Sequence, residues 1–227
     1  MPNQDEQKVK AGEAAAALVE AGMTVGLGSG TTAAQFVRAL AARKLDVQGV
    51  CTSEATEALA RALGVRTLSL DAAKAIDLTV DGADEIGPGL SLIKGGGAAL
   101  LREKLVWEAS RRCVVIADAS KIAAVLGGFR LPIEVVHFGH LHTANAIADV
   151  LAEFGLPAPA LRIKDGAPLI TDSGNVLYDA GRGAIEAPAQ LAGALKLITG
   201  VVEHGLFLDM ADQAFIAGET GVEVITP

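Results

Sequence analysis

The sequence predicts an α/β fold: a Rossmann-like, mostly parallel sheet with helices on both faces, joined to a smaller ferredoxin-like α+β domain. Three observations predict it. Apolar strand-like runs alternate with helix-like segments through the first half. The runs AIDLTV (75–80) and CVVIA (113–117) are of the buried type that a sheet covered on both faces uses. From about residue 131 the rhythm changes to β-α-β-β-α-β.

In chain order, residues 5–21 read as an Ala-rich helix. MTVGLGSGTTAAQFVRALAARK then gives a short strand, a glycine turn and an amphipathic helix, with Ala33, Phe36, Val37 and Leu40 on one face. A strand at 47–51, a helix at 54–63 and a strand near 65–70 follow, and AIDLTV runs straight into Asp81. LIKGGGAALLREKLVWEAS turns through glycine into a helix, and CVVIA is the next strand. The second part reads as strand 132–137, helix 142–154, strand 160–164, a strand within 168–178, helix 187–197 and strand 200–207. The tail ADQAFIAGETGVEVITP offers two short strands around Glu219-Thr220-Gly221 that rejoin the first sheet. The expected domains are therefore 1–130 with 206–227, and an inserted 131–205.

Composition narrows the function. A 51% hydrophobic chain of 227 residues can fill one sizeable core, yet no apolar run reaches the ~18 residues of a membrane span. The opening MPNQDEQKVK lacks the apolar stretch of a secretory signal. Cys51 and Cys113 lie far apart in short β-branched runs and read as buried free thiols of a cytoplasmic protein. A formal charge of −8 argues against a nucleic-acid surface, which needs clustered Lys and Arg. A small anion remains possible wherever the pocket is locally positive.

Gly26-Leu27-Gly28-Ser29-Gly30-Thr31-Thr32 joins a strand to a helix, so free N–H groups, the helix dipole and three hydroxyls suit a terminal phosphate. A dinucleotide fingerprint, with Glu54 as its ribose-binding acid, would need glycine at position 31, and a Walker A lysine is missing. The plain alternative is a turn with Thr as a helix cap. Asp81 and Asp84 stand at the carboxyl end of a strand, where open α/β sheets bind ligands, and suit sugar hydroxyls or proton transfer. Glu85 beside them reads as solvated, and one Asp at such a place is often only a turn former.

Lys94 precedes Gly95-Gly96-Gly97, which would let a ligand approach the backbone closely. Leu100, Glu103 and Trp107 share a helix face, whereas Arg102 points elsewhere. Glu103 flanked by Leu and Trp would be desolvated toward the range of a base at neutral pH; a surface Glu paired with Arg or Lys fits the periodicity equally well. Lys121, after Asp118-Ala119-Ser120, reads alone as a helix start. His137, His140 and His142 in HFGHLH lie in the other domain and read as exposed or capping histidines rather than metal ligands.

With these motifs in hand, the sequence resembles type A ribose-5-phosphate isomerase along essentially its whole length. GLGSGTT (26–32), TVDGADEI (79–86), LIKGGGAALLREK (92–104) and ADASK (117–121) carry the resemblance, with weaker support from ITDSGNVLYD and GVVEHGLF. One departure is Gly30-Thr31-Thr32, where the family often has Gly-Ser-Thr; the hydroxyls are retained. The resemblance implies a metal-free, cofactor-free interconversion of D-ribose 5-phosphate and D-ribulose 5-phosphate by a cytoplasmic homodimer or homotetramer of the pentose phosphate pathway. It implies Glu103 as the base, Asp81 for ring opening, Asp84 for substrate hydroxyls and Lys94 for oxyanion stabilisation. Ser29, Gly30, Thr31 and Thr32 would cradle the phosphate, and Gly82, Ala83, Gly95, Gly96 and Gly97 would line the substrate. Lys121 and Lys8 would add positive charge or substrate contacts. The competing readings are a related sugar-phosphate deaminase, a CoA-transferase-like enzyme, and a phosphosugar-sensing module. That last would need an output segment, and only VITP follows the core.

Overall fold

The structure, a computed structural model, describes residues 3–227, so the first two residues of the N-terminal stretch read above lie outside the described residues. Along the chain run α1 (Gln4–Ala16), β1 (Thr24–Leu27), α2 (Gly30–Ala42), β2 (Gln48–Cys51), α3 (Glu54–Ala62), β3 (Arg66–Thr67), β4 (Leu78–Gly82), β5 (Glu85–Ile86) and β6 (Leu92–Ile93). Then come α4 (Leu100–Glu108), β7 (Cys113–Asp118), β8 (Pro132–Val135), α5 (His140–Glu153), β9 (Ala160–Leu161), β10 (Ile163–Lys164), β11 (Ala167–Pro168) and β12 (Val176–Asp179). α6 (Pro188–Lys196), β13 (Val201–His204), β14 (Leu206–Phe207), β15 (Gln213–Ala217) and β16 (Val222–Ile225) complete it.

The contacts divide the chain into two compact units: Met1–Ala83 with Arg102–Ile122 and Asp209–Pro227, and Asp84–Leu101 with Ala123–Leu208. The first holds a seven-stranded sheet in the order β16-β15-β7-β4-β1-β2-β3, parallel throughout except for the β15–β16 hairpin. Period-two alternation makes its core. Val25 and Leu27 of β1, Leu78 and Val80 of β4, and Val114 and Ile116 of β7 pack with Phe36, Val37 and Leu40 of α2 and with the alanine face of α1. Val50, Ile76 and Val106 of α4 build a separate cluster with Leu68 and Leu70. The Ala-rich helix ends at Ala16 instead of 21 because the backbone tightens into i to i−3 bonds at Leu18 and Val19 before Gly22 turns the chain.

The second unit contains the expected β-α-β-β-α-β succession as an antiparallel sheet in the order β13-β8-β12-β9, with the β10–β11 hairpin as an excursion. Ile133, Val135, Val176 and Tyr178 face Ile147, Leu151, Leu191 and Leu195 from α5 and α6. It also holds a three-stranded sheet, β14-β6-β5, that periodicity did not anticipate. The run 200–207 is not one strand: after a bulge between Val201 and Glu203, the chain leaves β8 at Gly205 and pairs with β6 instead. That exchange ties Asp84–Leu101 to the small unit, so the divisions fall at 83/84, 101/102, 122/123 and 208/209 rather than at 130/131 and 205/206.

Cys51 and Cys113 form no disulfide; Cys113 is buried, and Cys51, at the end of β2, is half-buried. Burial, and then the Glu57 carboxylate, push the Cys51 thiol up to about 12, against a smaller opposing pull from Arg61. At pH 8 this leaves on the order of a thousandfold less thiolate than in an unfolded chain. Cys51 is therefore expected to react with a thiol reagent far more slowly in native protein than in urea-unfolded protein. Equal labelling rates in the two states would contradict this packing.

Candidate active site

Parallel pairing sets the site. β1 and β4 run side by side in the register Leu27↔Val80, so the glycine turn after β1 and Asp81 of β4 leave the sheet together. Gly28 lies so close to β4 that a Cβ there would fall 2.1 Å from Asp81 Oδ1 and 2.5 Å from its Cα. Asp81 has no exposed surface, and its Oδ1 accepts the backbone N–H groups of Ser29 at 2.9 Å and Gly82 at 2.7 Å. From the other side comes Thr52, just past β2, whose hydroxyl is 2.6 Å from that of Ser29, and the hydroxyl of Thr56 in α3 donates to Gly28 O at 3.0 Å.

The turn is thus fixed while the helix beyond it stays open. α2 begins at Gly30, so the N–H groups of Gly30, Thr31 and Thr32 belong to a first turn that has no intrahelical acceptors. Thirteen residues of aligned dipoles stand behind them, an arrangement suited to an anion. Ser29 is the residue before that helix, and its hydroxyl is engaged with Thr52. Glu54, weighed above as a ribose-binding acid, stands at the start of α3, 3.6 Å from Arg102.

Next to β4, β7 brings Asp118 to the same edge of the sheet. Asp118 is 1% exposed and accepts from Ser120 N at 3.1 Å, from the Ser120 hydroxyl and from Gln4 Nε2 at 3.3 Å. Burial alone would raise its pKa; the hydrogen bonds from Ser120 and Gln4, aided by the Lys121 charge, outweigh that and hold it below the usual carboxylate range. Lys121 ends this short turn, half-buried. Lys8, on α1, is largely covered and bonds to Asp5 at 3.1 Å. Glu103 is 4% exposed on α4, which removes the surface-glutamate alternative, and Trp107 on the same face is 2% exposed. Arg102 does turn elsewhere, toward Glu54. Lys104, which periodicity did not single out, is buried as well.

The remaining candidates belong to the second unit. Asp84 donates its N–H to Ile93 O at 2.9 Å and accepts the Gly96 N–H on Oδ2 at 2.7 Å, so this carboxylate braces the glycine loop. Lys94 is 2% exposed, with Nζ 5.3 Å from the centre of the Phe207 ring. Glu85 departs from the expectation of a solvated side chain. It is 7% exposed, and its carboxylate accepts the backbone N–H groups of Gly127, Gly128 and Phe129 at 2.8, 3.0 and 3.2 Å. Sequence reasoning also missed Arg162, whose Nη1 donates to the carbonyls of Gly95 and Gly96 at 2.9 and 3.1 Å. The histidines are apart from these groups in the chain: His137 and His140 stack at 5.7 Å, and His140 Nδ1 meets the Tyr178 hydroxyl at 2.7 Å. Among the described residues no three His, Cys, Asp or Glu side chains are placed to share a metal ion.

A doubly wound parallel sheet whose strand ends gather buried carboxylates beside an open helix N-terminus defines an α/β enzyme. The family model of ribose 5-phosphate isomerase A (phosphoriboisomerase A) matches residues 48–221. The ribose-5-phosphate isomerase A of Caulobacter sp. (strain K31) is 66% identical over 223 residues, covering 98% of this chain and 99% of that one. Among solved structures, the ribose 5-phosphate isomerase A of Neisseria gonorrhoeae superposes with a TM-score of 0.92 at 35% identity, covering 100% and 99% of the two chains. A D-ribose-5-phosphate isomerase in complex with phospho-erythronic acid superposes with a TM-score of 0.93 at 35% identity, covering both chains completely. The chain belongs to the ribose 5-phosphate isomerase A family. Membership decides against the deaminase, transferase and sensing alternatives.

Gly28→Ala is expected to destabilise the protein by at least about 1–3 kcal/mol, because the new methyl meets Asp81 and its backbone. Gly193→Ala, in α6 with nothing within 4 Å of its added Cβ, should be neutral or slightly stabilising. Denaturant midpoints of the two variants check this, and equal midpoints would contradict the close approach.

Proposed function

We propose that this protein interconverts D-ribose 5-phosphate and D-ribulose 5-phosphate without a metal ion, with Glu103 as the base. The observation that carries the reading is family membership over the full length, at 66% identity to a ribose-5-phosphate isomerase A. Phospho-erythronic acid, bound by a relative of the same fold, adds chemical support. It carries a phosphate at one end and a planar carboxylate at the other, the charge pattern of a pentose phosphate enediolate.

In the forward direction Asp81 moves a proton between the C1 hydroxyl and the ring oxygen, which opens the furanose. The Glu103 carboxylate then removes the C2 proton. The electrons of that C–H bond form C1=C2, and the carbonyl pair moves onto O1. Lys94 offsets the charge on this enediolate, and its near-complete burial favours a strong interaction by excluding water. Glu103 returns its proton to C1 while the O2 proton passes to O1, leaving a C2 ketone with nothing gained or lost. One base serving two adjacent carbons must be held within reach of both, and a buried position on a helix supplies that restraint. Asp84 holds substrate hydroxyls. Ser29, Gly30, Thr31 and Thr32 take the phosphate at the start of α2, with Gly82, Ala83 and the Gly95–Gly97 backbone along the substrate. Lys121 and Lys8 supply positive charge. A homodimer or homotetramer in the cytoplasm belongs to the same reading: Phe138, Leu141 and Leu197 are 93, 68 and 86% exposed, apolar area that another copy would cover.

The decisive experiment is a ribose 5-phosphate isomerisation assay in excess chelator. The native chain is expected to keep full activity there. Glu103→Gln should bind substrate with a KM within a few-fold of native while kcat falls by roughly 10²–10⁴. Near-native turnover by that variant would reassign the base, and loss of native activity on chelation would refute the metal-free mechanism. Ribose lacking its phosphate should show a kcat/KM lower by several orders of magnitude, on the order of 10³ or more; comparable values for the two sugars would remove the anion role of the glycine turn.

A further inference from the structure

The loop Lys94-Gly95-Gly96-Gly97 is held from two sides. Asp84 accepts the Gly96 N–H, and Arg162, 66 residues further along the chain from Gly96, takes the carbonyls of Gly95 and Gly96 on a single nitrogen. The opposite edge of the guanidinium, Nε and Nη2, binds the Asp179 carboxylate, with Nε–Oδ2 at 2.8 Å. Arg162 lies between β9 and β10 and is fixed by its own backbone: its N–H donates to Leu177 O at 2.8 Å, and its carbonyl accepts from Leu169 at 2.9 Å. Both side chains are largely covered, at 15% and 16% exposure.

We propose that Arg162 is a positioning residue for the isomerisation, setting the peptide planes of the glycine loop, with Asp179 holding it in place. The inference rests on the reading that Lys94 and the glycines after it meet the substrate. In a trans peptide the C=O and N–H point in opposite directions. Gripping Gly95 O therefore aims the Gly96 N–H at Asp84, as observed. Gripping Gly96 O turns the Gly97 N–H away from Arg162, and a Cβ built on Gly97 meets nothing within 4 Å. The open space beside Gly97 leaves this stretch of backbone accessible to a ligand. The clamp is needed because the loop's flexibility has a steric origin. Gly95 has φ +104°, and a Cβ there would fall 2.9 Å from Leu100 and 3.2 Å from Pro132. Ordering such residues costs about 1–2 kcal/mol each in backbone entropy, which an outside anchor offsets. Only a planar fork can bind a carboxylate on one edge and carbonyls on another; an ammonium can keep the charge but not the pattern.

The test compares native protein with Arg162→Lys, Arg162→Ala and Asp179→Asn. Kinetics, thermal unfolding and amide hydrogen exchange over the peptide containing Gly95–Gly97 are read together. Arg162→Lys is expected to lose roughly 10–100-fold in kcat/KM, with faster exchange in the loop and a melting temperature within a few degrees of native. Asp179→Asn should fall between it and native. If Arg162→Ala does not fold, the other two variants still decide the matter. Unchanged loop exchange in Arg162→Lys overturns the clamp whatever the substrate. Faster exchange with native kcat and KM shows a clamp that the reaction does not use, and overturns the positioning role. Native protein that fails to isomerise ribose 5-phosphate refutes the function itself, a result the exchange data cannot mimic.

Discussion

The glycine turn at the carboxyl edge of the large sheet depends on one buried carboxylate. Asp81 has no contact with bulk water, so its oxygens must find partners within the protein. Oδ1 finds them in the N–H groups of Ser29 and Gly82. The Ser29 bond joins the end of β4 to the start of α2 and locks the turn that presents the helix terminus, while the Gly82 bond fixes the carboxylate on its own strand. The closeness that permits them requires glycine at position 28. The arrangement works only as a unit. A methyl at Gly28, or a shift of one residue between β1 and β4, separates the carboxylate from the Ser29 N–H and leaves it buried with the local Gly82 bond in place of the pair.

The second unit repeats the device with a different carboxylate. Glu85, one residue beyond Asp84, takes three consecutive backbone N–H groups at Gly127, Gly128 and Phe129. Charge-assisted bonds of this kind contribute about 1.5–3 kcal/mol each when they form, and losing the carboxylate would strand three donors. The Glu85 backbone, anchored in β5, in turn fixes where Asp84 begins, and Asp84 reaches Gly96. The acids of the DGADE stretch therefore have separate roles. Glu85 organises a loop, whereas Asp81 and Asp84 organise glycine-rich backbone at the positions where substrate is proposed to bind.

The sequence disclosed what depends on local pattern and hid what depends on distance. Buried-type runs revealed β4 and β7, and the i, i+3, i+7 spacing put Glu103 and Trp107 on one helix face without deciding whether that face is buried, as the fold shows it to be. GLGSGTT revealed a strand, a turn and a helix because each residue there answers to its neighbours. β5, β6 and β14 escaped because two-residue strands carry no period, and β14 reaches β6 across more than a hundred residues. Glu85 was misread because an acid following Asp in a turn normally faces water; its three donors are over forty residues away. Arg162 had no motif at all. Its partners are Asp179 on a neighbouring strand and two carbonyls, and any residue type can offer a carbonyl.

An acidic chain that handles an anion looks contradictory only if charges are counted rather than followed. There are 27 acids against 19 Lys and Arg, yet the acids at these strand ends are occupied by backbone donors. Asp81 holds Ser29 and Gly82, and Asp118 holds Ser120. Each carboxylate draws N–H dipoles toward itself and so sheds much of its field on the protein. The first-turn N–H groups of α2 take no part in that exchange and remain the exposed positive pole of a thirteen-residue helix. Selectivity for the phosphate proposed at that pole needs no excess of basic residues elsewhere. It needs the neighbouring acids kept busy, and the same hydrogen bonds that keep them busy hold the turn in shape.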